Sequence, residues 1–220
     1  MKVASHYDGE AGAAYSAWQL GSVDALAVEV ARRFSPFLKS TDTCLDFGCG
    51  GGNVLSSLAV GRRLGVEPNE ASRRVAEGRG IKTVASLDEV TAESVDVVIS
   101  NHALEHCLNP YDELVGMRGA LRIGGTMVLV LPLDDWRRSR QFKRSDVNHH
   151  LYAWTPLLIG NLVSEAGLVV ESVKIVRHAY PPGVGILWRL LPETLFDTVC
   201  QVWSVLAHMR QILVVAHRTS

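Results

Sequence analysis

Apolar runs of strand length alternate along this chain with stretches of helical pattern. Residues 11–34 read as an amphipathic helical segment closing at "RRFSPF". "DTCLDF" (42–47) predicts a strand, and "GRRLGVEP" (61–68) holds a second, centred on "LGVE". "NEASRRVAEGRG" (69–80) predicts a helix capped by Asn69 and ended by Gly78 and Gly80. "IKTVA" (81–85) is a short strand and "SVDVVIS" (94–100) a buried one. A helix follows near "PYDELVGMRGALRI" (110–123), then a long strand, "GGTMVLVLP" (124–132), straight after a glycine turn. "WTPLLIGNLVSEAG" (154–167) is a helix, "LVVESVKIVRH" (168–178) a strand and "QILVVAH" (211–217) the last strand. Between the final two strands lie about thirty residues of helical pattern, 179–209, an elaboration on the core. Strands separated by helices of ten to fifteen residues predict an α/β fold: a doubly wound parallel sheet with helices on both faces.

Composition narrows the class without naming it. The 220 residues suffice for one substantial domain, and 47% are hydrophobic against 20% charged, the balance of a folded protein. A net charge of −1 gives no electrostatic case for nucleic acid. The N-terminus lacks an apolar signal core, and Arg189, Glu193 and Asp197 interrupt the apolar C-terminal stretches, so no membrane span is expected. Cys44, Cys49, Cys107 and Cys200 show no paired spacing and read as reduced thiols, the pattern of a cytoplasmic protein.

The chemistry starts at "CLDFGCGGGN" (44–53), where the first strand runs into four glycines within five positions. Ligands of open α/β sheets bind at the carboxyl ends of strands. Gly48 and Gly50 allow a tight turn and close approach to a ligand, and a helix starting near Gly51 or Gly52 would aim its free amides there. Glu67, seventeen residues after Gly50 at the tip of the second strand, suits a ribose diol. The dinucleotide fingerprint G-x-G-x-x-G wants glycine where Asn53 stands, and Asp46 would repel a pyrophosphate. A nicotinamide-dependent oxidoreductase is therefore disfavoured. A cationic adenosine, carrying an ammonium and a sulfonium, fits both Asp46 and Glu67.

With these residues in place, the chain resembles the class I S-adenosylmethionine-dependent methyltransferases, in the small-molecule "type 11/type 23" group. "LDFGCGGG" is similar to that family's first motif, "GVEPN" to its ribose motif, "VDVVISNHALEHCLNP" to the fourth-strand motif and "ALRIGGTMVLVLP" to the fifth. The likeness covers roughly residues 40–178 and the last strand. It implies a Rossmann-like seven-stranded sheet of order 3-2-1-4-5-7-6, with strand 7 antiparallel. It also implies one domain over 1–220: an N-terminal helical lid (1–38), a core (40–178), a helical insertion (179–209) and the last strand (210–217). The cofactor implied is S-adenosylmethionine. Asp46 would help hold its ammonium, and the main chain of Gly48, Cys49 and Gly50 would line its methionine and ribose side. Glu67 would take the ribose hydroxyls, with Pro68 on the adenine face. Ser86 and Leu87 would meet the adenine amine and ring, and Asn101 and His102 the methionine portion. Tyr15 and Trp18 are candidate lid residues, or else core aromatics docking their helix.

Methyl transfer to a hydroxyl needs a base near the reacting oxygen. In "NHALEH", His102, Glu105 and His106 are spaced three and four apart, suited to hydrogen bonding, to a base or to a metal. Hydrogen bonding is the preferred reading, and no metal is assigned. In "PLDDWRRSRQFKRSDVNHHLYAW", Asp134, Asp135, His149 and His150 are candidates for an oriented base, or for a brace on a loop. His150, His106 and Asp135 are the catalytic assignments. The run Arg137, Arg138, Arg140, Lys143, Arg144 is a solvated surface or a grip on an acceptor's phosphate or carboxylate. The apolar insertion reads as a cap on the sheet, a dimer face or a surface meeting lipid-linked substrate. The expected function is methyl transfer to a small polar acceptor, with a sugar hydroxyl of surface-polysaccharide biosynthesis favoured and a saccharide or phosphorylated saccharide as partner. The alternative is a non-catalytic, cofactor-binding partner subunit acting through its C-terminal helices.

Overall fold

The computed structural model describes residues 26–133, 141–143, 146 and 148–220. Seven strands form one sheet: β1 (Thr43–Phe47), β2 (Arg62–Val66), β3 (Lys82–Val84), β4 (Val95–Asn101), β5 (Leu121–Leu133), β6 (Val169–Val176) and β7 (Arg210–His217). Their order is β3-β2-β1-β4-β5-β7-β6. β7 runs antiparallel to both its neighbours, while the other pairs are parallel. The order and the reversed last strand are those expected.

β5 shows why the strands are so apolar. Met127, Leu129 and Leu131 point to one face, Val128 and Val130 to the other, and all five are buried. A central parallel strand is covered on both sides, so it needs apolar residues at every position. On the first face lie α4 (Pro110–Ala120) and α5 (Pro156–Glu165), contributing Leu114, Met117, Ile159 and Val163. On the second lie α1 (Ala27–Phe34), α2 (Asn53–Ser56) and α3 (Glu70–Gly78), contributing Val30, Phe34, Leu55 and Ala76. The Asn69 side chain caps α3 by accepting the Ser72 N–H at 3.1 Å.

The insertion forms α6 (Val184–Leu190) and α7 (Glu193–Leu206). Phe196 and Cys200 bury with Leu26, and Trp188 meets Phe196 edge to face at 4.8 Å. A polar cluster ties this insertion to α1. Arg32 reaches Glu193 and Asp197 at 2.5 and 3.2 Å, and Arg33 reaches His178, Tyr180 and Gln211.

Two local expectations are corrected. The helix after the glycine turn is a single turn, Asn53–Ser56, because Gly52 (φ +77°) still belongs to the loop and Ser57 ends the turn. β5 begins at Leu121, ahead of its glycines. Gly124 (φ +79°) bends the strand, and the chain is held across the bend by Gly124 N–H to Arg218 at 2.7 Å and Arg218 N–H to Gly125 at 3.0 Å.

At Gly48 (φ +78°) a Cβ would stand 2.4 Å from the Ala103 Cβ, so the turn after β1 must press directly on the loop after β4. Gly48→Ala should therefore cost about 2–4 kcal/mol in urea unfolding, combining backbone strain with overpacking. Gly78→Ala, where a Cβ meets nothing within 4 Å, should be neutral or stabilising.

Candidate active site

The glycine turn is held from within. The N–H groups of Gly48 and Cys49 both donate to the Val66 carbonyl, at 2.8 and 3.2 Å. The Gly50 N–H donates to Glu67 Oε2 at 3.0 Å, and the Asn69 N–H to Glu67 Oε1 at 2.8 Å. The amides of Gly48, Cys49 and Gly50 are thus engaged inside the loop, and the helix expected to start near Gly51 or Gly52 is the one-turn α2, which adds no dipole of consequence. Glu67 has a second task the sequence analysis missed: it clamps the turn that it faces. Each of its oxygens keeps a further lone pair, so a diol can still be accepted. Arg73 completes the clamp by donating to the Glu67 and Pro68 carbonyls at 2.8 and 2.7 Å. Its signal in the sequence was its place one turn into the helix after "EPN", pointing back at the strand end.

Asp46 lies in β1 opposite Gly65 and is buried at 4% exposure. Burial, with the Glu67 charge adding to it, pushes its carboxyl up to about 7. Glu67 is also pushed up by burial, against the pull of the Asn69 and Gly50 amides and Arg73. Cys49 fills the space that Gly65 leaves, where a Cβ would stand 2.4 Å from its sulfur, and burial holds its thiol well above the ordinary value. It is a packing residue, not a nucleophile.

Acceptor atoms without donors gather at this end of the sheet. The Asn53 and Asn101 Oδ1 atoms and both Glu105 oxygens are buried with no hydrogen-bond partner. Buried acceptors are costly unless something donates to them. With Asp46 and Glu67 beside them, they make a region that fits a cationic, hydroxyl-bearing ligand and repels an anionic one. His102, next to Asn101, holds a left-handed conformation (φ +53°), costly for a non-glycine residue, while its N–H donates to Val130 at 2.9 Å.

The two histidine motifs meet. Glu105 is fully buried, 3.4 Å from His102 Nδ1 and 3.9 Å from His106 Nε2. The Leu151 N–H donates to the Glu105 carbonyl at 2.9 Å, tying the loop after β5 to the turn after β4. That loop is anchored by buried Trp154, by Tyr152 stacked on it at 5.7 Å, and by the Tyr152 hydroxyl on the Leu108 carbonyl at 3.0 Å. His150 consequently sits 5.0 Å from His106, ring to ring. Ligand atoms of Glu105, His106 and His150 all lie within 4.8 Å of one another, close enough to hold a metal ion. Burial pushes His106 down to about 4, with Glu105 pulling upward and His150 downward. At neutral pH it is uncharged.

Other expected positions have local roles. Ser86 caps the short turn Leu87–Glu89, with the Glu89 carboxylate accepting the Ser86 N–H at 3.1 Å. Leu87 is buried, against Gly116 of α4. Tyr15, Trp18, Asp134, Asp135, Arg137, Arg138, Arg140 and Arg144 lie outside the described residues; Lys143 is exposed. His149 (φ +46°) donates its N–H to Asp146 at 3.2 Å, and its backbone carbonyl accepts a hydrogen bond from the His106 ring.

The sequence model of the family described as "Methyltransferase domain" matches residues 22–173. No curated protein gives a significant match. Among solved structures, the chain resembles one from the complex of the Trm112 methyltransferase activator with a methyltransferase of Haloferax volcanii. There the identity is 16% and the TM-score 0.67, covering 94% of this chain and 98% of that one. An S-adenosylmethionine-dependent methyltransferase of Thermotoga maritima gives 17% identity and a TM-score of 0.64, covering 95% and 96%. The geranyl diphosphate C-methyltransferase of Streptomyces coelicolor gives 17% and 0.59, covering 87% and 76%. At these identities the likeness is one of fold.

Asp46 carries a prediction on stability. Its folded value, about 7, lies above its ordinary 3.8, so the folded protein holds this proton more tightly. The stabilisation is present at low pH and is lost as pH rises from about 4 to about 7. Asp46→Asn should therefore gain stability relative to the parent between pH 5 and pH 7.5, by a few kcal/mol, in paired urea unfolding curves. A constant difference across that range would mean Asp46 is not desolvated.

Proposed function

The chain belongs to the methyltransferase-domain family and is an S-adenosylmethionine-dependent methyltransferase, and on that premise we propose that it methylates a hydroxyl group of a small polar acceptor. The observation that carries the site assignment is the pair of buried acceptors without a hydrogen-bond partner, the Oδ1 atoms of Asn53 and Asn101, beside the carboxylates of buried Asp46 and of Glu67. S-adenosylmethionine supplies an electrophilic methyl group on a sulfonium. Asp46 and the Asn101 Oδ1 face its ammonium, Glu67 takes the ribose hydroxyls, and Pro68, Ser86 and Leu87 border the adenine. Gly48, Cys49 and Gly50 line the route between them, and His102 flanks the methionine portion.

The acceptor lies over the ends of β4 and β5, where water exclusion and alignment lower the barrier. His150 takes the proton from its hydroxyl. The neutral His106 holds the His150 ring edge, and the buried Glu105 offsets the charge that builds on the histidines. Asp135 remains an assignment from the sequence, as a second carboxylate for this base, as do Tyr15 and Trp18 as cover. A sugar hydroxyl is the favoured acceptor, because the polar histidine cluster suits it better than an apolar ring does.

A second reading, a cofactor-binding subunit that acts through a partner or a second copy, is favoured by the exposed Ile186, Leu190, Val202 and Leu206 on the insertion. It predicts turnover only after a partner is added. No helix among the described residues is long and apolar enough to cross a membrane.

Calorimetry with S-adenosylmethionine and S-adenosylhomocysteine tests the site. Binding should tighten as pH rises from 6 to 8, because Asp46 must release its proton to face the ammonium, and Asp46→Asn should abolish that trend. Absence of binding to the folded protein overturns the assignment. With a methylated acceptor in hand from a labelled-cofactor screen of sugars and nucleotide sugars, His150→Ala should lower kcat by about 10²–10⁴-fold while leaving cofactor affinity within about threefold. Equal loss of both would make His150 a structural brace.

A further inference from the structure

We propose that the corner where β6 ends and β7 begins is an anion subsite that holds a phosphate or diphosphate group of the acceptor. This rests on the reading above, in which the acceptor lies over the carboxyl ends of β4 and β5. A cavity of about 480 Å³ opens at that corner, lined by Ile175, Val176, Arg177, His178, Gln201 and Arg210. Its size suits a small phosphorylated molecule rather than a bare ion.

Arg210 is the first residue of β7 and pairs with Leu133, the last of β5, so it stands at the same end of the sheet as the histidine cluster. Its Nε is buried with no hydrogen-bond partner. A guanidinium nitrogen left this way is costly, and an oxyanion would satisfy it. Neither Arg177 nor Arg210 has an ion-pair partner among the described residues. Among the described residues, the nearby carboxylates are engaged elsewhere: Glu29 is held by Arg33 and Asp197 by Arg32. His178 is held between Arg33 and Glu29 and serves as a wall. Gln201, projecting from α7, adds an amide donor, while Ile175 and Val176 make the remaining wall apolar.

The register places this subsite within reach of the reaction. Asn101 pairs with Val130, which pairs with Leu213. Arg210 lies three residues beyond Leu213 and two strands from β4, hence about 10 Å outward and about 10 Å across from Asn101. A phosphorylated small molecule can bridge that span with its hydroxyl at His150. The site then has opposite ends: acceptor atoms for the cationic cofactor over β1 and β4, and two arginines for the anionic end of the substrate over β7 and β6.

The test uses the full chain at low salt, titrated calorimetrically with sodium pyrophosphate and, in the same preparation, with S-adenosylhomocysteine. Pyrophosphate should bind the parent, and Arg177→Gln or Arg210→Gln should each weaken it about tenfold or more, with S-adenosylhomocysteine affinity unchanged. Arg177 is exposed, so its variant folds even if a change at Arg210 disturbs β7. Arg210→Lys should retain part of the affinity, as a charge without the planar fork. Pyrophosphate failing to bind, or binding both variants as it binds the parent, while S-adenosylhomocysteine still binds, overturns the subsite. Failure of S-adenosylhomocysteine alone overturns the methyltransferase site and not this one. Glucose 1-phosphate and monomeric decyl phosphate then separate a soluble from a lipid-linked source: whichever gains about tenfold over inorganic phosphate identifies it.

Discussion

The Glu67 carboxylate is the interaction on which this site depends. One oxygen takes the Gly50 amide, the other the Asn69 amide, so a single side chain at the tip of β2 joins the glycine turn after β1 to the cap of α3. A charged acceptor shared between two backbone donors is strong enough to hold a loop whose glycines favour no conformation of their own. The same carboxylate burdens Asp46, one strand away. Their mutual repulsion and shared burial leave two acids that only a positively charged ligand can satisfy together.

From that clamp the charge distribution of the sheet's carboxyl edge follows. The half over β1 and β4 accumulates buried acceptors. The far half, past β5, carries Arg177 and Arg210, which have no ion-pair partner among the described residues. Between them titratable groups from two separate loops converge, Glu105 and His106 against His150. The reversed β7 makes this arrangement possible. Running antiparallel, it brings its first residue, not its last, to this edge, beside the end of β6, where the helical insertion also leaves and rejoins the sheet. The insertion is in turn fixed to α1 by Arg32 and Arg33, so the edge is closed from two sides of the sequence.

Most of the sheet could be read from the chain because burial on both faces forces continuous apolar strands, as in "TMVLVLP", and because Asn69 caps its helix by a side-chain bond that the sequence implies. The expectations that failed concerned backbone geometry rather than pattern. The helix after Gly52 stops after one turn, where the left-handed Gly52 and the local bonds of Ser57 bound it, and β5 starts before its glycines because Leu121 already pairs with Val95 of β4.

The residue order alone determined the fold class, the strand order through its family likeness, and the acidic partner of the glycine turn. These rest on local signals: periodicity, turn chemistry and the spacing of Asp46, Gly48, Gly50 and Glu67. Only the tertiary structure decided what those residues do to one another. It turned the glycine amides inward to Val66 and Glu67, left Asn53, Asn101 and Glu105 with unmatched acceptors, and set His150 beside His106 across forty-four positions of chain. It also gathered Arg177 and Arg210 into one cavity. The physical reason is that hydrogen bonding and desolvation depend on neighbours in space, and a parallel sheet chooses those neighbours by strand order, which no local stretch of sequence contains.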